Sequence, residues 1–253
     1  MELHGILYSV ADGVARIVLA RPEASNSFDL ATASALAAAV AEAGRDETVR
    51  SVLITGDGAR FCAGGDLPWA TSAEDPSAAL LELAGVLDGA FQAISALPKP
   101  VVAAVQGAAA GAGLALVLAA DVVVAASGTK FLSAYGAVGL VPDCGLSWQL
   151  PRAVGQQRAL ELVLTNRALS ADEALEWGLI NRVVDADALE ASALDLAAKA
   201  AGSSSFAAAQ AKRLVRQAYE VTRVEAGADE ARSIAAAIAT PEAQELIAAF
   251  FKR

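Results

Sequence analysis

Histidine, cysteine and aromatic residues are scarce in this sequence, and their scarcity limits the chemistry that it can perform. Of 253 residues, one is a histidine, His4, and two are cysteines, Cys62 and Cys144. Nucleophilic systems that depend on a histidine base, such as Ser-His-Asp and Cys-His, are therefore not expected. These three residues also do not make a metal-ligand set, so no metal site is expected. Carboxylates and tyrosines remain as candidates for a general acid or base.

Positive charge is also in short supply. The chain has 19 Lys and Arg residues against 29 Asp and Glu residues, which gives a net charge of -10. Nucleic-acid binding comes largely from Lys and Arg neutralising phosphates, so a nucleic-acid partner is not expected. We find no signal peptide and no uninterrupted apolar run of the roughly 20 residues that a membrane span needs. With so few cysteines, these absences favour a cytoplasmic protein without disulfides and without a membrane partner.

The most apolar segment, residues 99–126, combines burial with backbone freedom. Residues 101–105 are typical of a strand covered on both faces, and the apolar run 114–120 predicts a buried helix. Three glycines between them permit tight bends and close approach of another segment: Gly107, Gly111 and Gly113. A turn that leads into a helix leaves backbone N–H groups free, and such donors suit a negatively charged oxygen. The alternative is a plain core strand and helix in which glycine serves close packing.

The remaining pattern predicts an α/β fold. Alternating residues at 3–10 and 14–19 flank the pair Asp12-Gly13 and predict an antiparallel hairpin. A helix at 30–43 and a strand at 51–55 follow, an order that implies a right-handed parallel βαβ unit.

Further along the chain, helices dominate. The pattern predicts a mobile loop at 72–77, a long helix at 78–97, strands at 130–133 and 180–184, and helices at 146–152, 155–164 and 170–177. From residue 187 onward nearly all residues are expected to be helical, with breaks at 202–203 and at Pro241.

Two loops carry the candidate functional groups. In the segment FCAGGDL at 61–67, two glycines permit an unusual backbone path and Asp66 can cap the following helix. The functional interpretation gives Gly65 an N–H donor aimed at the same oxygen as the turn at 111–113. The alternative is an ordinary Gly-Gly-Asp turn. The Gly-rich loop 135–145 carries Asp143, which either works as a carboxylate or caps a helix beginning near Leu146.

Three motifs occur in a specific order and spacing: FCAGGDL at 61–67, KPVVAAVQGAAAGAGLAL at 99–116 and GLVPDCGLSWQLPRAVG at 139–155. Together they resemble the crotonase superfamily, the enoyl-CoA hydratase and isomerase family. The resemblance implies a crotonase-like spiral of ββα units over residues 1–200 that binds an acyl-CoA thioester. It also implies a helical oligomerisation region over residues 201–253 and assembly as a homotrimer or hexamer.

The resemblance further implies roles for individual residues. The backbone N–H groups of Gly65 and Ala112 would form an oxyanion hole that polarises the thioester carbonyl. Positions along the bound substrate would be Ala24, Ala63, Asp66, Leu67, Gly111 and, as an orienting or lining side chain, Tyr135. Coenzyme A is part of the substrate, so no separate cofactor is expected. Pro68 stands where family members often have a lysine, so a cation near the nucleotide is missing there.

The sequence departs from the family's hydratases at both positions where those enzymes carry catalytic glutamates. Ala115 and Tyr135 stand there, and Asp143, directly after Pro142, is the remaining carboxylate. Some members bear their working acid at this position, among them 1,2-epoxyphenylacetyl-CoA isomerases, whose Pro-Asp-x-Gly-x-x-Trp-x-Leu-Pro-Arg run is similar. Hydration usually shares its proton transfers between two carboxylates, whereas one aspartate can move a proton between two carbons of a dienolate.

We therefore expect an acyl-CoA isomerase of the fatty-acid metabolism type, which shifts a double bond or rearranges a ring with Asp143 as proton shuttle. The second hypothesis is an enoyl-CoA hydratase, a lyase, that works through Asp143 and a water. A third, from a different class, is a non-catalytic acyl-CoA-binding oligomer that lost its activity with both glutamates. Aryl dehalogenation with an aspartate nucleophile is disfavoured, because no suitably placed histidine could activate water.

Overall fold

A computed structural model describes residues 2–252 and shows a seven-stranded sheet with a three-stranded sheet beside it. In chain order the strands are β1 (Glu2–Leu3), β2 (Ile6–Ala11), β3 (Val14–Leu19), β4 (Ser51–Gly56), β5 (Val101–Val105), β6 (Ala108–Ala110), β7 (Val122–Ala126), β8 (Lys130–Leu132), β9 (Leu169–Ser170) and β10 (Arg182–Val184). The large sheet has the order β1-β2-β3-β4-β5-β7-β10, and the small sheet has the order β6-β8-β9.

Helices cover both faces of the large sheet and make up the C-terminal region. They are α1 (Leu30–Arg45), α2 (Leu67–Ser72), α3 (Pro76–Ala96), α4 (Ala112–Ala119), α5 (Leu146–Val154), α6 (Gln156–Thr165), α7 (Ala171–Glu176), α8 (Leu189–Ala201), α9 (Ser205–Arg216), α10 (Arg223–Ile238) and α11 (Pro241–Phe250). The expected α/β class is therefore confirmed.

The N-terminal hairpin and the parallel unit after it form as predicted. β2 and β3 pair antiparallel, and their turn residues Asp12 and Gly13 have φ angles of 50° and 76°. Positive φ at both positions is typical of the tight hairpin turn whose twist matches that of the strands. β4 and then β5 add in parallel to β3.

β5 is buried on both faces, as its sequence predicts. Val101, Ala103 and Val105 belong to the main core, while Val102 and Ala104 belong to a second core on the opposite face. Helix α8 covers that second face through Leu189, Ala193 and Ala197. The end of β5 therefore lies in the interior, and the turn after it reaches the surface at Gly107.

Helix α3 is long and apolar enough by length and composition to cross a membrane, although one such helix is weak evidence of a span. Its inner face packs into the main core through Leu83, Leu87, Ala90, Phe91 and Ile94. This is the ordinary position of an apolar core helix.

Three expectations need correction. The mobile loop at 72–77 is wrong: only residues 73–75 separate α2 from α3, because Asp75 caps α3 and Pro76 occupies its first turn. Strand β6 was not expected, since its three alanines favour helix and pairing with β8 and with Cys62 makes them extended. The C-terminal helices have a further break at 217–222, between α9 and α10.

The first of the C-terminal helices is attached to the sheet by a buried charge cluster. Lys212 and Arg216 of α9 both pair with Asp121, at 2.8 Å each. Arg216 also donates to the carbonyls of Ala119 and Ala120 at the end of α4. The predicted division between residues 200 and 201 coincides with the end of α8; as a domain boundary it stays a prediction.

A second charge cluster joins the start of α1 to the segment before α2. Arg21 pairs with Asp29 at 3.1 Å and with Asp66 at 3.0 Å, and all three side chains are largely buried. Asp29 caps α1 by accepting from the N–H of Thr32. Burial raises the pKa of Asp29, but the hydrogen bond from Thr32 and the charge of Arg21 outweigh it and hold this pKa below its ordinary value.

Replacing Asp29 with Asn keeps a capping side chain and removes the charge. We expect the free energy of unfolding at pH 7 to fall by about 2 kcal/mol, the usual size of a hydrogen bond to a charged group. A lowered pKa in the folded state stabilises above the unfolded-state pKa, and that stability is lost as the pH falls through the folded-state value. The deficit of Asp29→Asn should therefore shrink below about pH 4 in urea titrations.

The matched control is Asp75→Asn, because Asp75 caps α3 without an ion pair in residues 2–252. We expect this substitution to cost less than about 0.5 kcal/mol. A deficit of Asp29→Asn that stays constant from pH 7 to pH 3 would contradict the assignment.

Candidate active site

Two backbone amides lie at the meeting point of the two glycine-rich segments. Gly111, with φ of 54°, ends the turn after β6, and α4 begins at Ala112. Within residues 2–252, neither the Ala112 N–H nor the Gly65 N–H donates a hydrogen bond to a protein acceptor. A Cβ added to Gly64 would lie 3.3 Å from the nitrogen of Ala112. The structure therefore brings together the two amides that the sequence suggested.

Only glycine permits this approach of the two backbones. Gly64 has φ of +100°, and a Cβ there would lie 2.9 Å from the carbonyl oxygen of Ala110. A Cβ on Gly113 would lie 2.5 Å from the carbonyl oxygen of Cys62. Hydrogen bonds from Cys62 to Ala108 and from Ala110 to Cys62 hold the segments side by side. Both segments are thus fixed by main-chain contact.

The segment 61–67 is also held on its other side. Gly64 accepts from the N–H of Phe28, and the N–H of Asp66 donates to Phe28, both at 2.8 Å. The Asp66 carboxylate accepts from the N–H of Trp69, which confirms the predicted helix cap, and from Arg21. Asp66 thus holds this segment in place, and its contact with a ligand stays a prediction.

The remaining positions expected along a ligand lie near an open cavity. Ala63 is exposed, Ala24 and Leu67 are half-buried, and the N–H of Ala63 donates to the carbonyl of Ser25. The cavity has a volume of about 290 Å³ and is lined by Pro22, Ser25, Ala59, Arg60, Gly107 and Ala108. Arg60, which the sequence reasoning missed, donates to Ser25 Oγ at 2.8 Å and brings a cation to this edge. Its place directly before FCAGGDL was the available signal.

Asp143 does not cap the following helix. Helix α5 has Gly145 at its N-cap with no side-chain hydrogen bond, and only the Asp143 carbonyl accepts from the N–H of Leu146. The carboxylate of Asp143 instead accepts a hydrogen bond from the phenol of Tyr135, with 2.5 Å between Oη and Oδ1. The capping alternative is therefore excluded.

Tyr135 connects this carboxylate to the turn that carries the amides. A Cβ added to Gly111 would lie 3.7 Å from Cζ and 3.8 Å from Oη of Tyr135. Burial, and secondly the charge of Asp143, raise the pKa of Tyr135 well above its usual value. The phenol therefore stays protonated and donates its hydrogen to Asp143.

The other titratable groups near this loop are Asp88 and two thiols. Asp88, on α3, would have Oδ1 3.7 Å from a Cβ added to Gly145, and it accepts from Gln92 Nε2. Sequence reasoning did not point to this second carboxylate. Burial raises the pKa of Cys62 to about 12 and raises that of Cys144 as well, so both thiols stay neutral. Within residues 2–252, no group of three or more potential metal-ligating side chains occurs.

Comparisons with known proteins show which family and fold this chain is similar to. Residues 9–253 match the family model described as enoyl-CoA hydratase/isomerase. The chain is 40% identical over 217 residues to 1,2-epoxyphenylacetyl-CoA isomerase of Escherichia coli K12, which covers 84% of this chain and 82% of that protein. An enoyl-CoA hydratase from Polaromonas sp. JS666 superposes with a TM-score of 0.92 at 35% identity, covering 98% of this chain and 96% of that one. An enoyl-CoA hydratase from Mycobacterium smegmatis gives 0.92 at 32% identity, with the same coverage.

Gly113→Ala tests whether backbone contact holds the two segments together. Because the added methyl group would meet the Cys62 carbonyl, we expect the free energy of unfolding to fall by about 2 kcal/mol, a typical cost of overpacking. Chemical denaturation measures it. The matched control is Gly89→Ala in α3, where an added Cβ would meet nothing within 4 Å. That substitution should raise stability by up to about 1 kcal/mol. Equal effects of the two substitutions would contradict the contact.

Proposed function

We propose that this chain, which belongs to the enoyl-CoA hydratase/isomerase family, is an acyl-CoA isomerase that shifts a double bond or rearranges a ring. The observation that carries the proposal is the carboxylate of Asp143, which is linked through Tyr135 to the turn that carries a free amide. Ala115 and Tyr135 supply no carboxylate where the family's hydratases have two. The relative named as an epoxide-derived acyl-CoA isomerase supports the same choice.

The proposed chemistry starts with the thioester carbonyl. Its oxygen accepts hydrogen bonds from the N–H groups of Gly65 and Ala112, which stabilise the charge that develops there as an enolate forms. One such donor is typically worth about 3 to 4 kcal/mol. Asp143 removes a proton from one carbon, and the electron pair of that C–H bond moves into the conjugated enolate. The aspartic acid then returns the proton two carbons along, so nothing is gained or lost.

The coenzyme A part of the substrate is proposed to run past Ala24, Ala63 and Leu67 into the cavity beside Ser25. Arg60 lies in the wall of that cavity and is exposed, so it can face a phosphate. It would supply the cation that Pro68 does not. No further cofactor is required by this chemistry.

A homotrimer or hexamer is proposed for the assembled protein. The C-terminal helices leave large apolar side chains exposed, among them Val215, Tyr219, Val224, Ile234, Phe250 and Phe251. Apolar side chains on this scale are more often covered by a partner than left in water. A second copy of the chain is the proposed partner.

Light scattering tests the assembly. We expect the wild-type protein to have the mass of three or six chains, and Ile234→Asp, which places a charge on an exposed apolar side chain of α10, to give smaller species. A monomeric wild-type protein would refute the proposal.

Hydration is the second candidate, and Asp88 is the observation that favours it. A carboxylate from α3 faces the loop directly after Asp143, so two acids stand near one site. In that case Asp143 would activate a water molecule and Asp88 would transfer the second proton. A non-catalytic acyl-CoA binder is the third candidate, and it predicts binding without turnover.

The experiment is a panel of thioesters assayed for both reactions. With trans-3-hexenoyl-CoA and cyclic acyl-CoA substrates, we expect isomerisation by the wild type and a loss of at least about 100-fold in kcat for Asp143→Asn, as for removal of a general base. Calorimetry should show that binding of the thioester survives in this variant. Asp75→Asn serves as the control for loss of a carboxylate elsewhere on the protein.

The alternatives separate in the same panel. Formation of a 3-hydroxy product from crotonyl-CoA, abolished by Asp88→Asn, would favour hydration. Binding with no turnover of any thioester would favour the non-catalytic candidate. Unchanged isomerisation by Asp143→Asn would end the isomerase proposal.

A further inference from the structure

We propose that Tyr135 is a positioning residue for Asp143, and that its phenol holds one carboxylate oxygen so that the other faces the reacting carbon. The inference rests on the proposed function, because it gives Tyr135 a task in the proton transfer by Asp143. It assigns Tyr135 to the carboxylate, whereas the sequence suggested a residue that orients the substrate or lines the pocket.

The hydrogen bond defines which oxygen is engaged. Tyr135 Oη donates to Asp143 Oδ1 at 2.5 Å, so Oδ1 is engaged, and we assign the exchange of a proton to Oδ2. The carboxylate of an aspartate can rotate about its bond to Cβ, and a hydrogen bond to one of its oxygens restricts that rotation. Holding a base in one orientation is what an efficient proton transfer requires.

The phenol is itself fixed against the turn at Gly111. Its Cζ lies 3.7 Å from the point where a Cβ on Gly111 would stand, and the Cα of Gly64 lies 3.7 Å from that same point. The Ala112 amide follows Gly111 directly. Tyr135 therefore fixes the position of the Asp143 carboxylate relative to the two segments that carry the proposed oxyanion donors.

Two residues with strained backbone flank the loop that carries Tyr135 and Asp143. Ala134, just before Tyr135, has φ of 65°, and Cys144, just after Asp143, has φ of 51°. Left-handed backbone is unfavourable for a residue with a side chain, and it persists where the surroundings impose it. The two residues turn the ends of the loop so that Tyr135 and Asp143 face each other. The N–H of Leu140 donates to the Tyr135 carbonyl and closes the loop between them.

The charged and titratable groups around the pair are few in the part of the chain that the structure describes. Asp88 faces the loop from α3, and Cys144 lies next to the carboxylate, with Cys62 farther inside. Burial keeps both thiols neutral and Tyr135 protonated. The phenol therefore remains a hydrogen-bond donor to Asp143.

Tyr135→Phe removes the hydroxyl and keeps the ring. With trans-3-hexenoyl-CoA we expect kcat to fall about 10-fold while KM changes less than about twofold, since the lost bond orients the base and does not bind the substrate. Ser34→Ala, which removes an exposed hydroxyl from α1, is the control and should change neither kcat nor KM.

Incorporation of 3-fluorotyrosine at position 135 keeps both the ring and the hydroxyl that donates to Asp143. We therefore expect this protein to keep the wild-type kcat and KM within about twofold, whereas Tyr135→Phe loses kcat.

The outcomes separate the two proposals. If Asp143→Asn is inactive while Tyr135→Phe keeps the wild-type kcat, the positioning role is wrong and the proposed function stands. If Asp143→Asn keeps full turnover, the proposed function fails and the positioning role falls with it. A fall in kcat without a matching rise in KM for Tyr135→Phe, with the fluorotyrosine protein close to the wild type, supports the inference.

Discussion

The carbonyl of Cys62 lies so close to α4 that Gly113 has no room for a side chain. A main-chain contact of this kind sets the distance between two segments by atom size alone, without side chains that could adopt other rotamers. The segment 62–65 lies on one side of the contact and the turn into α4 on the other. Both proposed donors, the amides of Gly65 and Ala112, take their positions from it, and Tyr135 takes its own from Gly111 next to them.

The rest of the fold holds these two segments in place. β5, buried on both faces, delivers the turn to the interior, and the cluster of Arg21, Asp29 and Asp66 joins the segment at 61–67 to the start of α1. Ordered amides cost no reorganisation when charge appears on a bound oxygen, which is why rigid backbone suits this task. The carboxylate at Asp143 comes from a separate loop and needs a tether of its own.

Much of this arrangement could be predicted from the sequence, because the signals were local. The apolar run of β5 and the Asp12-Gly13 turn each determine their own structure, and Asp66 stands where a helix cap is needed. A local signal is also what makes the predicted loop at 72–77 wrong. Asp and Pro are common in loops, but here Asp75 caps α3 and Pro76 is its first residue.

The bond between Tyr135 and Asp143 could not be predicted in this way. It spans eight residues of chain and depends on left-handed backbone at Ala134 and Cys144, two residue types that give no sign of that conformation in a sequence. Strand β6 could not be predicted because alanine favours helix, and pairing with β8 and with Cys62 makes the segment extended. Both features arise from tertiary contacts, which outweigh local preference.

Helix α4 has its two ends in different parts of the protein. Its first residue presents the Ala112 amide to the site, and its last carbonyls accept from Arg216 of α9. Because the peptide dipoles of a helix align, a cation is stabilising at its C-terminal end, and its N-terminal end carries a partial positive charge. The eight residues of α4 span only about 12 Å. This helix therefore forms a short, direct connection between the proposed oxyanion hole and the helices that expose apolar surface. Docking of neighbouring copies onto those helices would therefore restrict the motion of α4 and, with it, the motion of the proposed catalytic amides.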